Sequence, residues 1–278
     1  MLASHPDVFM ARKELHYFGK DLEYHRVPMS LARYHQHFDS RPANALRAGD
    51  ASAWTLFSET APAEIQRYAP DAQIVVTLRC PAEMIHSIHG LLHYTCQEDI
   101  GNFDRAVGCE PERVAGRDIP EPSRPRMALH YTALGRYHSH LTRWIEVFGR
   151  ERVHVVLLDE VKSDAAAVGA GLSAFLGLEG PIKPASHSPR GRNANRAYRS
   201  GRIQRWTQRQ PNRAMVDGVA SFTPLRRVAL GLINRFNGRF SERRPMHRRT
   251  RKHIDDTLRA EVEALGSLLD RDLGHWLI

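Results

Sequence analysis

The chain has 278 residues, of which 42% are apolar and 26% are charged, a composition typical of a folded globular protein. This length suits one large α/β domain, and we predict a single domain over residues 1–278. No apolar run reaches the roughly 18 residues that a membrane-spanning helix needs, and the opening residues lack the basic and apolar regions of a signal peptide. We therefore expect a cytoplasmic protein without a membrane span.

The chain is basic, with a formal net charge of +9 and 40 lysines and arginines, most of them arginines. The planar arginine group forms paired hydrogen bonds with phosphate, sulfate and carboxylate. An anionic small ligand and nucleic acid both fit this bias, and so does a solvated arginine-rich surface without a special role. The cysteines Cys80, Cys96 and Cys109 have no metal-ligand spacing, so we predict neither a disulfide framework nor a metal site.

The first 70 residues predict short elements separated by turns. In chain order they are a helical turn ended by Pro6, an extended piece that finishes at Leu15–Phe18, a helix opened by Pro28, a connector over 44–56, and a helix from Thr60 to about Tyr68. Thr60 is a good helix cap, and proline is tolerated in the first helical turn.

The segment 74–87 has the clearest local pattern. Residues 74–78 predict a buried strand, and a helix from Pro81 to about Tyr94 follows it at once. Arg79 therefore lies at the carboxyl end of a strand, and Ser87 lies in the first turns of the next helix. Open α/β sheets bind phosphates at this kind of position. The alternative role for Arg79 is an ion pair with Glu83.

The rest of the chain alternates helices, a second buried strand and two long connectors. In order we predict a surface loop over 97–125, a helix from Met127 to Phe148, a strand over 153–158, a helix from Ala165 to Leu178, an arginine-rich loop over 183–214 and a C-terminal amphipathic helix within 247–278. Two nearly all-apolar strands separated by helices predict the α/β class, with a central parallel sheet flanked by helices.

Ordered segments across nearly the whole chain resemble one family. They are Ser4–Val8, Lys13-Glu14 with His16-Tyr17-Phe18, Gly49–Trp54, Arg79–Ser87, Gly135–Tyr137 with Trp144 and Phe148, Phe175–Leu178 and Asp272–Trp276. In this order the segments resemble a bacterial sulfotransferase of the heparan sulfate N-/O-sulfotransferase-like type. Such enzymes use 3′-phosphoadenosine 5′-phosphosulfate (PAPS).

The resemblance implies a fold like that of P-loop NTPases and the transfer of a sulfuryl group to a hydroxyl or amine of a carbohydrate or other small acceptor. Glu14 matches the general base, and a base within about 2.6–3.2 Å of the acceptor proton can remove it. His16 would orient the acceptor or stabilise charge, and Lys13 would help to neutralise sulfate. The alternatives without a catalytic role are a surface ion pair of Glu14 with Lys13 or Arg12, and a half-buried strand position for His16.

The resemblance also implies which residues bind the nucleotide. Arg79 and Ser87 match the ligands of its 3′-phosphate, one as a charged fork and the other as a hydroxyl donor. Tyr137 sits in a helix that approaches the same phosphate in such folds, and Asn195 and Arg199 are candidates from a region that lies near the cofactor in relatives. No metal is implied, although His86, His89 and His93 nearly share one helical face.

Two departures from the family pattern leave other functions open. No loop like the family's phosphosulfate-binding loop is present in the sequence, so we expect the first strand and this loop to be missing from the chain, and Ala51 stands where some relatives have lysine. The alternatives are a noncatalytic protein with the same fold and a basic protein that binds nucleic acid or an anionic surface. No nucleic-acid motif favours the latter, we expect no nucleic-acid partner, and the oligomeric state is open.

Overall fold

The computed structural model describes residues 1–12, 14–25, 27–183, 196–207, 232–233, 236–240 and 243–278. The chain divides into two compact units, each assembled from separate stretches of sequence. Unit 1 comprises Met1–Cys80, Arg136–His187 and Arg259–Leu277, and unit 2 comprises Pro81–Gly135, Ser188–Leu258 and Ile278. The predicted single domain over 1–278 stays a prediction.

Helices and parallel strands alternate along the chain, as the α/β class requires. The strands are β1 (Val8–Met10), β2 (Arg47–Gly49), β3 (Ile74–Leu78), β4 (Val153–Leu157), β5 (Arg196–Tyr198) and β6 (Gly238–Phe240). The helices are α1 (Leu31–Gln36), α2 (Ala61–Tyr68), α3 (Pro81–Tyr94), α4 (Phe103–Gly108), α5 (Glu110–Val114), α6 (Tyr131–Leu134), α7 (Tyr137–Phe148), α8 (Leu158–Ser163), α9 (Ala165–Leu176) and α10 (Arg248–Leu269).

Unit 1 contains two parallel strand pairs. β1 pairs with β2, with Val8 opposite Arg47, and β3 pairs with β4, with Ile74 opposite Val153. The residues of β3 and β4 are almost all apolar, as expected for parallel strands covered by helices on both faces. In unit 2, β5 and β6 form an antiparallel pair. The predicted α/β class with parallel strands flanked by helices is confirmed.

The core of unit 1 lies where β1, β4 and α9 meet. Val8, Val156, Leu172 and Ile182 are buried together there. α9 passes so close to the following segment that a Cβ on Gly169 would lie 2.1 Å from the carbonyl oxygen of Ile182. Any larger residue at position 169 would therefore force α9 away from this segment.

Unit 2 is organised around α3 and a buried ion pair. Arg113 holds both carboxylate oxygens of Glu98, at 2.5 and 2.7 Å, and the Tyr131 hydroxyl donates to the same carboxylate at 2.6 Å. The backbone N–H of Ile100 completes the set at 2.8 Å. A buried charge pair is tolerated only when its remaining hydrogen-bonding atoms are satisfied, and these contacts meet that condition for the Glu98 carboxylate.

Several predicted elements differ from the structure. The connector over 44–56 contains β2 and a 3₁₀ helix at Ala53–Phe57, and the surface loop over 97–125 contains α4 and α5. The extended piece that finishes at Phe18 is wrong in position, because the strand is Val8–Met10. The single helix over 127–148 is three pieces, a 3₁₀ helix at Arg126–Leu129 followed by α6 and α7.

Other predictions are confirmed, notably β3, α3, α9 and the amphipathic C-terminal helix. The predicted loop over 183–214 lies largely outside the described residues. Within the described part of the chain, every helix is too short or too polar to cross a bilayer.

Candidate functional site

Glu14 and His16 lie on a tight turn in unit 1. The Oε2 atom of Glu14 is 3.1 Å from Nε2 of His16, and the Glu14 side chain is 52% exposed whereas that of His16 is 2% exposed. Among the described residues, neither ring nitrogen of His16 has a partner with hydrogen-bond geometry. The Glu14 carboxylate is thus accessible to solvent, and the His16 imidazole beside it is buried.

This segment is a turn, so the predicted extended piece does not reach His16. His16 has φ of +48°, in the left-handed region. Residues other than glycine pay of order 1–3 kcal/mol for such a conformation, which persists only where surrounding contacts hold it. The contact between Glu14 and His16 results from this turn.

Two neighbouring groups hold the turn. The Ser52 hydroxyl accepts hydrogen bonds from the backbone N–H groups of Leu15 and His16, at 2.9 and 2.8 Å, and donates to Asp50 at 2.8 Å. Burial raises the pKa of Asp50, and the hydrogen bonds from Ser52 and from the Leu15 N–H oppose this rise. The sequence placed residues 49–54 in a connector and in a family segment, and gave Ser52 no role of its own.

Aromatic contacts cover the buried side of the turn. The His16 ring lies 3.7 Å from the Tyr24 ring, centroid to centroid, and the rings are inclined by 31°. Burial raises the pKa of the Tyr24 hydroxyl, and the negative charge of Glu14 raises it further. Tyr24 therefore stays protonated at neutral pH and is a neutral neighbour of the Glu14–His16 pair.

Arg79 follows β3, as predicted. Its positive charge interacts electrostatically with Tyr137, the first residue of α7. Burial raises the pKa of the Tyr137 hydroxyl, and the positive charge of Arg79 opposes that rise. Tyr137 is only 3% exposed, and its ring lies 6.4 Å from that of Trp276. The two residues that the family resemblance assigns to the nucleotide within unit 1 are thus electrostatic neighbours.

Ser87 lies in α3 of unit 2 and has an arginine partner that sequence reasoning missed. The guanidinium of Arg243 donates to the Ser87 hydroxyl at 3.3 Å. A cation beside a hydroxyl is a combination that binds phosphate oxygens. The sequence shows Arg243 only as one member of an arginine cluster, and 156 positions separate it from Ser87.

A cavity of about 450 Å³ adjoins this arginine within unit 2. Its polar lining comes from α3, from β5 and from the segment before α10, and includes His86, His89, His93, Tyr198, Arg243 and Arg244. Burial, followed by the charge of Arg243, lowers the pKa of His86 to about 4. His93 and the Tyr198 hydroxyl are 2.9 Å apart. At neutral pH His86 therefore adds no positive charge to this cavity, whereas Arg243 and Arg244 do.

Two further cavities lie along β3 within unit 1, with volumes of about 480 and 620 Å³. Each is lined by residues 48–51 on one side and by residues of β3 on the other. Among the described residues, β3 pairs with β4 alone. The predicted absence of a first strand and its phosphate-binding loop stays a prediction, and these cavities mark where unit 1 has room beside β3.

The remaining predicted site residues are not brought together. Lys13 and Asn195 lie outside the described residues. Arg199 lies just after β5 in unit 2 and is exposed, and its backbone N–H donates to the carbonyl of Asn237 at 2.8 Å. Over the described ranges, no group of three or more histidine, cysteine or carboxylate side chains has the arrangement of a metal site.

A comparison with solved structures identifies a similar fold. The chain matches a sulfotransferase from Alicyclobacillus acidocaldarius with a TM-score of 0.68 and 20% sequence identity, over 99% of this chain and 90% of that chain. No family model matches the sequence. The chain thus has a sulfotransferase-like α/β fold, and at this level of identity the likeness establishes the fold alone.

Proposed function

We propose that the protein is a PAPS-dependent sulfotransferase that acts on a hydroxyl or amine of a carbohydrate or other small acceptor. The observation that carries this proposal is the fold likeness to a sulfotransferase over 99% of the chain. The exposed carboxylate of Glu14 beside buried His16 supports it, because transfer to a hydroxyl or amine requires a group that removes a proton.

The nucleotide would be held by arginine and hydroxyl groups. We assign Arg79, Ser87 and Tyr137 to the 3′-phosphate, and we add Arg243 because its guanidinium already contacts the Ser87 hydroxyl. Charge-assisted hydrogen bonds of this kind are roughly twice as strong as neutral ones. Within unit 2 the Ser87 hydroxyl and the Arg243 guanidinium therefore offer a phosphate two adjacent donors.

Bound PAPS supplies the sulfuryl group, and 3′-phosphoadenosine 5′-phosphate (PAP) is the leaving group. Glu14 takes the proton from the acceptor as the acceptor oxygen or nitrogen bonds to sulfur, which keeps the acceptor uncharged as it reacts. We assign His16, whose Nε2 lies 3.1 Å from the same carboxylate, to the acceptor or to charge stabilisation. We further assign Lys13 to the transferred sulfate, and Asn195 and Arg199 to the neighbourhood of the nucleotide.

The first test is calorimetric titration of the chain with PAP, with 5′-AMP as the control that lacks the 3′-phosphate. We expect saturable binding of PAP only. Arg79→Ala and Ser87→Ala should each weaken it by about 10- to 100-fold, because a hydrogen bond to a charged group contributes roughly 1.5–3 kcal/mol. Arg67→Ala, which removes an exposed arginine of α2, is the matched control. Equal affinities for PAP and AMP would overturn the nucleotide assignment.

The second test measures transfer of labelled sulfate from PAPS to a panel that contains an amino sugar polymer, a neutral polysaccharide and a phenol. Glu14→Gln should lower kcat by about 10²- to 10⁴-fold, the usual contribution of a general base, and leave PAP affinity unchanged. Glu23→Gln changes an exposed carboxylate nearby and serves as the control. PAP binding without transfer to any acceptor would instead favour the noncatalytic alternative.

A further inference from the structure

We propose that Ser52, held by Asp50, is the positioning residue that fixes the Glu14–His16 turn for proton transfer. This proposal rests on the proposed function, since it concerns the residues assigned there to the acceptor. It assigns a role to a side chain that lies 36 positions away from His16 in the sequence.

The hydrogen-bond inventory of Ser52 leaves a single arrangement. A hydroxyl has two acceptor positions and one proton. The N–H groups of Leu15 and His16 occupy the acceptor positions, at 2.9 and 2.8 Å. The one hydroxyl proton must therefore go to Oδ1 of Asp50, which lies 2.8 Å away. Asp50 thus fixes the direction of the hydroxyl, and the hydroxyl fixes two consecutive amides.

The local role expected of this serine does not account for these contacts. Ser52 occupies the position that precedes the 3₁₀ helix Ala53–Phe57, where a serine normally caps the first helical N–H groups. Its side chain makes no such bond to that helix. The hydroxyl instead binds the turn at residues 15 and 16.

The other side of the turn is held as well. Nε2 of His25 lies 2.8 Å from the carbonyl oxygen of Leu15, and because a carbonyl only accepts, this nitrogen carries the proton. The ring of His16 packs on Tyr24. The left-handed backbone of His16 is therefore bounded by contacts on its amide, on the preceding carbonyl and on its ring, and the Ser52 contact is the one that reaches its amide.

A second serine in unit 1 offers a matched control. The Ser58 hydroxyl accepts from the backbone N–H groups of Thr60 and Ala61 and donates to Asp21 at 2.5 Å. This is the same arrangement of two amides, one hydroxyl and one carboxylate, but it serves the start of α2. Ser58→Ala removes an equivalent set of hydrogen bonds without touching the Glu14–His16 turn.

The experiment compares Ser52→Ala, Ser52→Thr, Asp50→Asn and Ser58→Ala in the full chain. Hydrogen exchange at the amides of residues 15 and 16 should accelerate by about 10-fold in Ser52→Ala, because the His16 amide loses its acceptor and the Leu15 amide keeps only the longer 3.5 Å contact with Asp50. It should stay near the wild-type rate in Ser52→Thr, which keeps a hydroxyl, and in Asp50→Asn, which keeps an acceptor oxygen. Ser58→Ala should leave exchange at residues 15 and 16 unchanged.

Activity with the best acceptor from the panel gives the second readout. Ser52→Ala should lower kcat by about 10-fold or more with KM and PAP affinity unchanged, and Ser52→Thr should restore it. Unchanged exchange, or an unchanged kcat in Ser52→Ala, would overturn the positioning role. A wild-type chain without any transfer would overturn the proposed function instead, and accelerated exchange in Ser52→Ala would then still support the hold on the turn.

Discussion

At the scale of single residues, the charge of Arg243 adds to the effect of burial in lowering the pKa of His86. His86 is half-buried in α3 and faces the same cavity as Arg243. Burial is the first cause of its low pKa, and repulsion from Arg243 is the second. An imidazole with a pKa of about 4 stays neutral under physiological conditions and offers one donor and one acceptor to a ligand.

We predict that an NMR titration of the full chain will give His86 a pKa of about 4. Arg243→Ala should raise this pKa toward the ordinary value of 6.5, because one positive neighbour is lost. Arg244→Ala is the control, since Arg244 lines the same cavity and is not among the charges that shift His86. A His86 pKa that does not respond to Arg243→Ala would contradict the repulsion assigned to Arg243.

The sign of the linked stability effect follows from the direction of the shift. The pKa of His86 is lower in the folded chain than in the unfolded one, so the unfolded chain binds more protons between pH 6.5 and about 4. The contribution of His86 to folding stability is therefore present above pH 6.5 and is lost as the pH falls toward 4. In Arg243→Ala this loss should be smaller over the same range.

At the scale of elements, the buried contacts of Glu98 with Arg113 and Tyr131 hold several short elements of unit 2 together. Glu98 precedes α4, Arg113 lies in α5 and Tyr131 opens α6, so a single carboxylate joins two parts of the predicted loop to the predicted helix that follows it. Burial alone would raise the pKa of Glu98, but the bonds from Arg113 and Tyr131 outweigh it and lower that pKa.

Glu98→Gln should lower the free energy of unfolding by about 3–5 kcal/mol, because it removes the paired charged bonds of buried Arg113 and leaves it the exposed Asp99 carboxylate at 3.8 Å. Tyr131→Phe should cost about 1–3 kcal/mol through the loss of one buried hydrogen bond. Because the folded pKa of Glu98 is lowered, its contribution is present above the ordinary value of 4.5 and is lost as the pH falls through the folded value.

Urea unfolding at neutral and acidic pH measures both effects. Glu112→Gln, which removes an exposed ion pair with Arg117 in the same stretch of chain, should lower the free energy of unfolding by no more than about 1 kcal/mol. A Glu98→Gln variant as stable as the wild type at neutral pH would contradict the role given to the network.

The same elements show what a sequence can predict. β3 and α3 were predictable because an apolar run and Pro81 mark both boundaries. β2 was not, because Arg47–Gly49 has exposed residues and no apolar alternation. α4 was also missed, although Asn102 caps it, since it is six residues long and lies between glycines and prolines.

Some residues of the candidate site could be predicted from the sequence, and others become visible only in the structure. Arg79 and Ser87 follow from a local pattern at the end of a strand, and Glu14 and His16 follow from the family resemblance. Ser52 and Arg243 act through contacts across 36 and 156 positions, which no local pattern in one sequence reveals. The left-handed turn at His16 was equally hidden, because tertiary contacts and not local preference impose it.

At the scale of the whole molecule, the net charge of +9 is compatible with two kinds of anionic ligand, a small nucleotide and a polyanion such as DNA. Duplex DNA would bind through many phosphates at once, and each neutralised phosphate makes binding more sensitive to salt. PAP carries only two phosphate groups. The salt dependence of binding therefore distinguishes a defined nucleotide site from a basic surface.

We predict that affinity for a random DNA duplex falls by about 10³-fold or more between 50 and 200 mM salt. The Kd for PAP should change by less than about 10-fold over the same range, since few ion pairs are involved. Fluorescence anisotropy for DNA and calorimetry for PAP provide the two curves. DNA binding that persists at 200 mM and prefers one sequence would favour the nucleic-acid alternative.

The pairing of β3 with β4 has a consequence for how the protein is made. Ile74 lies opposite Val153, so β3 leaves the ribosome 79 positions before its partner strand begins. At about 5–20 residues per second, synthesis of the intervening chain takes roughly 4–16 s. During this interval β4, the strand with which β3 pairs among the described residues, has not yet been synthesised. The nascent protein therefore passes through a period in which this strand must be kept from pairing with other chains.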